Sequence, residues 1–291
     1  MSDVDDELLK QLGEALRESI NEDALDDYAK EHEWRSHLGI SIIGQECLRK
    51  TWYDFRWFTY PEPKPHQLRI FGDGHQAEPA IVAMLQRNGF DISTTDPATG
   101  KQWLYSAVHG HYGGSSDGII NGHTPELAGR LGPRILLEAK SHNSKSFTHL
   151  VSHGVVDSKP QHYTQMCGYG YGFQLQYGLY FAVNKNDGDI YTQFVRLNWQ
   201  YAMTMELRAE GIITARQPPA RVSNKSTDYR CKMCDHIAVC HGKQQPVVTC
   251  RSCRNAYPTD RGEWTCALYQ QVIPRHIVTI GCPQYERLEH D

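Results

Sequence analysis

Residues 134–140, Arg-Ile-Leu-Leu-Glu-Ala-Lys, constrain the fold more than any other segment, because an apolar run ends in two ionisable groups spaced i and i+2. On a strand of period two, Leu136, Glu138 and Lys140 share one face while Ile135, Leu137 and Ala139 point the other way into a core. Glu138 and Lys140 therefore project together at the end of a buried strand. Standing alone, such a pair reads as a simple ion pair.

Asp117 changes that reading. It lies 21 residues before Glu138, after Gly113 and Gly114 and before Gly118, where glycines end a strand and let backbone or ligand approach closely. Two carboxylates on neighbouring strands make a hard-oxygen site suited to Mg²⁺ or Mn²⁺, which takes one or two carboxylates plus waters and phosphate oxygens. Lys140 beside them can orient or deprotonate an attacking water and offset the negative charge that builds on a phosphate under attack.

The periodicity around these residues predicts an order of elements. Residues 5–30 read as an amphipathic helix, with Leu8, Leu9, Leu12, Ala15, Leu16 and Ile20 expected to pack on the body. Residues 41–58 read as a second helix around Cys47, ended by the PEPKP stretch at 61–65. A third, from Gln67 to Asn88, carries His75 and Glu78 one turn apart if it runs through Pro79, which is expected to kink or split it. Strands follow at 103–108, in the segment ending at 115–120, and at 134–140. After a polar stretch containing SHNSKSFTHL, a helix opens at Pro160 with Gln161, Gln165 and Tyr169 on one face. Segments 177–183 and 190–197 form a hairpin around Asn186-Asp187-Gly188, and a last helix follows.

Here the sequence resembles a known family. Asp117, then Glu138-Ala139-Lys140, is similar to the PD-(D/E)XK nuclease motif, with Ser116 where a proline often stands. Gln165 and Tyr169 resemble the Q-x-x-x-Y helix motif of its RecB-like and lambda-exonuclease-like branches, and His75 resembles their upstream helix histidine. The resemblance covers roughly residues 36–240. It implies an α/β fold with a central mixed sheet flanked by helices, as in restriction endonucleases. By the same resemblance Asp117, Glu138 and the Ala139 carbonyl hold Mg²⁺, His75 is a further ligand, and Gln165 and Tyr169 line a DNA path.

The nine cysteines add a second constraint, since seven fall in the last 61 residues. Cys231, Cys234 and Cys240 form C-x2-C-x5-C, a spacing that binds zinc or an iron–sulfur cluster once a fourth thiolate arrives. Cys250, Cys253, Cys266 and Cys282 supply four ligands for a separate zinc site; the rival grouping of Cys231, Cys234, Cys250 and Cys253 has zinc-ribbon spacing. The upstream Cys47 plus the downstream triplet resembles the iron-staple nucleases, in which a 4Fe-4S cluster ties the flanks of the core together.

Composition sets the remaining bounds. The 291 residues hold twelve acidic and three basic side chains within residues 1–33, a local balance of −9, against 22 acidic and 27 basic in the rest. A mildly basic body is compatible with phosphate backbones. No stretch approaches the ~20 apolar residues of a membrane helix, and the acidic N-terminus is unlike a signal peptide, so a cytoplasmic place is expected, in a bacterium or a phage-infected host. The expected organisation is an acidic N-terminal helix (1–33), a nuclease domain (34–240) and a cysteine-rich, zinc-binding module (241–291). The expected activity is Mg²⁺-dependent exonucleolytic hydrolysis of linear DNA in recombination, repair or phage DNA processing. DNA is the partner, and by resemblance a single-strand annealing or replication protein. The alternatives are an endonuclease of the same fold and a non-catalytic zinc-ribbon protein that binds nucleic acid.

Overall fold

The apolar run that carries Glu138 and Lys140 forms a strand that does not end at Lys140 but continues to His142, so both groups lie inside it. The computed structural model describes residues 6–31, 33–242 and 244–288. Residues 1–5 of the acidic segment, and His32, lie outside them. The chain begins with α1 (Asp6–Glu31), β1 (Leu38–Gly39), α2 (Leu48–Arg56), α3 (Pro65–Arg87), β2 (Asp91–Ser93), β3 (Leu104–Ala107), β4 (Tyr112–Ser115) and β5 (Gly118–Gly122). Next come α4 (Pro125–Leu131), β6 (Ile135–His142), α5 (Ser144–Ser158), α6 (Pro160–Gly172), β7 (Tyr177–Asn184), β8 (Ile190–Arg196) and α7 (Trp199–Thr214). The C-terminal segment adds α8 (Tyr229–Lys232), α9 (Ile237–Cys240), β9 (Ala256–Pro258), β10 (Trp264–Cys266), β11 (Gln271–Val272) and α10 (Arg275–Val278).

The central sheet is mixed, in the order β2-β5-β6-β7-β8, with β6 parallel to β7 and the other pairs antiparallel. Ile135, Leu136, Leu137 and Glu138 of β6 are fully buried. Ile135, Leu137 and Ala139 pack with Ile81 and Leu85 of α3, whereas Leu136 belongs with Met166 of α6 and Tyr180 of β7 in the other layer. Each large aliphatic side chain so buried stabilises the fold by about 1.5–3 kcal/mol. The three strands expected in sequence do not share one sheet. β3 and β4 pair with β1 in a smaller sheet, and the chain crosses to the central sheet between Ser115 and Gly118. Asp117 sits in that crossing.

Four further departures have physical causes. α3 runs through Pro79 without a break, which keeps His75 and Glu78 on one helix. α2 starts only at Leu48, because Cys47 is its N-cap, Sγ accepting from Lys50 N at 3.4 Å. The polar stretch after β6 is the helix α5, capped by the Asn143 side chain and buried only along Phe147, Leu150 and Val155. On α1, Leu8, Leu9, Leu12, Leu16 and Ile20 are all exposed, against the expectation of a packed stripe. α1 instead meets α3 through contacts such as Asn21 with Arg69 at 3.1 Å.

The C-terminal segment shares the main core. Cys253, Ala256, Trp264, Val278 and Leu288 are buried in one cluster with Leu38, Trp52 and Phe55. Two buried guanidiniums bind these parts. Arg251 donates to the carbonyls of Phe55 (2.9 Å), Arg35 (3.4 Å) and Ser36, with its guanidinium over Trp57 and Trp264. Arg56 donates to the carbonyls of Ala256 (2.9 Å), Arg251 (3.2 Å) and Ala215 (3.4 Å). No transmembrane-length apolar helix occurs among the described residues.

Candidate active site

Asp117, Glu138 and the Ala139 carbonyl converge on one ammonium. Lys140 Nζ lies 2.6 Å from Glu138 Oε1, 3.3 Å from Asp117 Oδ2 and 3.1 Å from Ala139 O. The β5–β6 ladder fixes this arrangement, because Asp117 precedes β5 by one residue and its Oδ2 also accepts from Ala139 N at 2.8 Å. The Lys140–Glu138 contact has the distance of an ion pair but not the angle of a hydrogen bond, and Oε1 has no hydrogen-bond donor. Its partner oxygen, Oε2, accepts from Gln165 Nε2 at 3.4 Å.

Burial pushes the Glu138 carboxyl up to about 7, with Asp117 adding to the rise and Lys140 opposing it. Burial likewise opposes charge on Lys140, yet Glu138 and Asp117 outweigh it and hold the ammonium above its ordinary pKa. The pair is thus a concentrated charge in a site of low dielectric, where a cation is worth more than in water.

α6 holds both strands of the site. Gln165 reaches Glu138, and one turn later Tyr169 donates from Oη to Ser115 O at 2.6 Å, pinning the residue before the Asp117 crossing. Gly114 permits this approach, since a Cβ there would stand 2.7 Å from the Tyr169 hydroxyl. Gln165 and Tyr169 are both buried, so each positions the site from within the protein. His75 is exposed on α3, and its charge reaches Glu78.

Glu78 was missed as a site residue. Burial raises its pKa, with Asp117 adding and Lys140 and His75 opposing, which places it in the field of the cluster. Its three-residue spacing from His75 was the available signal. Behind the cluster Tyr180, opposite Glu138 in the β6–β7 register, meets His142 Nε2 at 2.9 Å and His162 Nδ1 at 2.8 Å through Oη. Burial and then neighbouring lysines lower His142 to about 4; burial and then Lys140 lower His162 to about 3.

The cysteines form two groups. Cys47, Cys231, Cys234 and Cys240 line one cavity together with Arg49, Lys50 and Arg230. Cys250, Cys253, Cys266 and Cys282 line another of about 250 Å³, walled by Leu268, Tyr269, Val272 and Ile277. The ribbon-like grouping of Cys231 and Cys234 with Cys250 and Cys253 is not brought together in either. Burial and then Cys282, Cys253 and Cys266 raise the Cys250 thiol to about 11. Among the described residues, no three or more His, Cys, Asp or Glu side chains stand close enough to hold a metal ion. The thiols surround common cavities without closing on a centre.

The site is thus an oxygen-rich cluster of two carboxylates and a carbonyl around a lysine ammonium on β6 and the segment before β5. No family model and no curated protein matches the chain. Among solved structures it is similar to the protein SSO0001, at 16% identity and a TM-score of 0.45, over 79% of this chain and 98% of that one. It is also similar to LHK-Exo in complex with dAMP, at 15% identity and a TM-score of 0.42, over 61% and 86%. The alkaline exonuclease LHK-Exo from Laribacter hongkongensis matches at 15% identity and a TM-score of 0.38, over 67% and 90%.

Proposed function

We propose that the protein is a Mg²⁺-dependent nuclease that hydrolyses phosphodiester bonds at the ends of linear DNA. The observation that carries the reading is the convergence of Asp117 Oδ2, Glu138 Oε1 and Ala139 O around a single positive charge. Two carboxylates and a carbonyl are the hard-oxygen donors Mg²⁺ takes, and one of those carboxylate oxygens lacks a hydrogen-bond donor. Bound there, the cation supplies Lewis-acid polarisation of a phosphate oxygen. Asp117, Glu138 and Ala139 O hold it, with Glu78 and His75 at the rim.

Lys140, held as an ammonium by Glu138 and Asp117, orients the attacking water and stabilises the charge on the attacked phosphate. Gln165 keeps Glu138 turned toward the cluster, and Tyr169 fixes the strand end that presents Asp117. The preference for ends rests on the likeness of Gln165 and Tyr169 to the Q-x-x-x-Y motif. An iron–sulfur cluster or zinc at Cys47, Cys231, Cys234 and Cys240, and zinc at Cys250, Cys253, Cys266 and Cys282, complete the proposal as structural groups. The basic residues beside the first set offset thiolate charge.

End-labelled linear duplex is compared with a covalently closed circle in Mg²⁺, using the intact protein and Lys140→Ala. Loss of linear DNA alone, abolished by the substitution, is the expected result. Cutting of the circle replaces the reading with an endonuclease; no cutting of either substrate removes it. Absorbance near ~400 nm in anaerobically prepared protein distinguishes an iron–sulfur cluster from zinc.

A further inference from the structure

Arg56, Arg216, Gln217, Arg254 and Leu288 line a cavity of about 280 Å³. It shares no residue with the carboxylate cluster or with either cysteine group. Three arginines line this single space, and among the described residues one of them, Arg254, has a carboxylate partner, Glu286, at 3.6 Å. Among the described residues, neither Arg56 nor Arg216 is ion-paired with a carboxylate.

Arg56 is the unusual member. It is 1% exposed, its Nη atoms are spent on carbonyls, and its Nε is buried without a hydrogen-bond partner. Rings of Trp52 and Trp264 flank the guanidinium at 5.4 and 5.1 Å, which offsets part of its desolvation but supplies no counter-charge. Burial, and then the charge of Arg216, lower Arg56 to about 9, so the two cations feel each other. Arg216 lies over the Tyr257 ring at 4.1 Å, held in place by a neutral contact. A buried, uncompensated charge is costly, and proteins that keep one supply an anion.

We propose that this cavity binds a small phosphate dianion, inorganic phosphate or a phosphomonoester, through the guanidiniums of Arg216 and Arg254, with the buried Arg56 guanidinium adding positive charge beneath them. Among the described residues the site carries more positive than negative charge, which a phosphate dianion offsets. Guanidinium forks fit phosphate oxygens in a bidentate manner, and Gln217 adds an amide at the rim. The three arginines come from the end of α2, the residues after α7 and the segment before β9. A bound dianion therefore ties the C-terminal segment to the core.

The test is calorimetric titration of the intact protein with inorganic phosphate and with methyl phosphate at constant ionic strength, repeated on Arg216→Gln, Arg254→Gln and Lys140→Met. Arg216 and Arg254 are exposed, so both variants are expected to keep the parent Tm in phosphate-free buffer. Expected are one site with Kd below about 1 mM, at least tenfold weaker binding in Arg216→Gln, a smaller loss in Arg254→Gln, and no change in Lys140→Met. Phosphate should also raise the Tm of the parent and not that of Arg216→Gln. No binding of either probe, binding undiminished in the arginine variants, or binding lost only in Lys140→Met would each overturn the proposal.

Discussion

The carboxylate cluster and the C-terminal cysteine cavity both crowd groups that repel one another when charged, and they differ in what stands among them. Lys140 lies between Asp117 and Glu138 and draws their oxygens to within 3.3 Å of one point. Among the residues lining the cavity of Cys250, Cys253, Cys266 and Cys282 there is no basic side chain, and the thiols stay apart with Cys250 pushed up to about 11. The lesson is that a β-ladder with its own cation assembles an anionic site by itself. The loop-built thiols line a common cavity without such a charge among them.

Breaking the first region should have the larger consequence. On the proposed function Glu138→Ala removes a ligand of Mg²⁺ together with the ion-pair partner of Lys140, and cleavage in Mg²⁺ is expected to fall by about 10³-fold or more. Retained cleavage would remove Glu138 from the site. Cys253→Ser addresses the second region. Elemental analysis should show loss of one metal with the other retained, and the melting transition should drop by the equivalent of about 4 kcal/mol, as for a ligand at 1,000 times its Kd. Unchanged metal content would mean the cavity is a plain apolar pocket.

A third test concerns the polar layer behind the cluster. His142 and His162 share the Tyr180 hydroxyl and have folded pKa values near 4 and 3, below the ordinary histidine value. The unfolded chain therefore binds protons first as pH falls, and stability present at neutral pH is lost from about 6.5 downward. Each histidine contributes a slope of up to about 1.4 kcal/mol per pH unit. Denaturant midpoints measured between pH 7 and 4 should show it, and His162→Gln should flatten the curve. The smallest effect is expected at Leu12→Ser on α1. Its side chain is 57% exposed, so stability should stay within about 0.5 kcal/mol; a loss of several kcal/mol would restore the packed stripe.

The legibility of these regions in the sequence follows the same divide. β6 could be read because its alternation leaves few choices for Glu138 and Lys140, and Asp117 because glycines mark a strand boundary. Glu78 depended on whether Pro79 broke α3, a question that packing of Ile81 and Leu85 decides. α5 was hidden because its buried face is only Phe147, Leu150 and Val155, too sparse to show a helical period. Arg56 and Arg251 resemble surface residues in any sequence, and only tertiary packing puts them under Trp52, Trp57 and Trp264. The leucines of α1 formed a correct helical pattern, but amphipathicity does not say that a partner surface exists.

The two arginine ties also set an order in time. Arg251 closes on carbonyls of Arg35 and Phe55, and Trp264 meets Phe55 with ring centroids 5.4 Å apart. Such pairs join residues some two hundred positions apart, the kind of contact that slows folding because loop closure must precede reward. At synthesis rates of about 5–20 residues per second, the nascent α2 aromatics wait on the order of 10–40 s for their cover. During that interval Trp52, Phe55 and Trp57 form an open apolar surface on the growing chain, a target for chaperones and a hazard for aggregation.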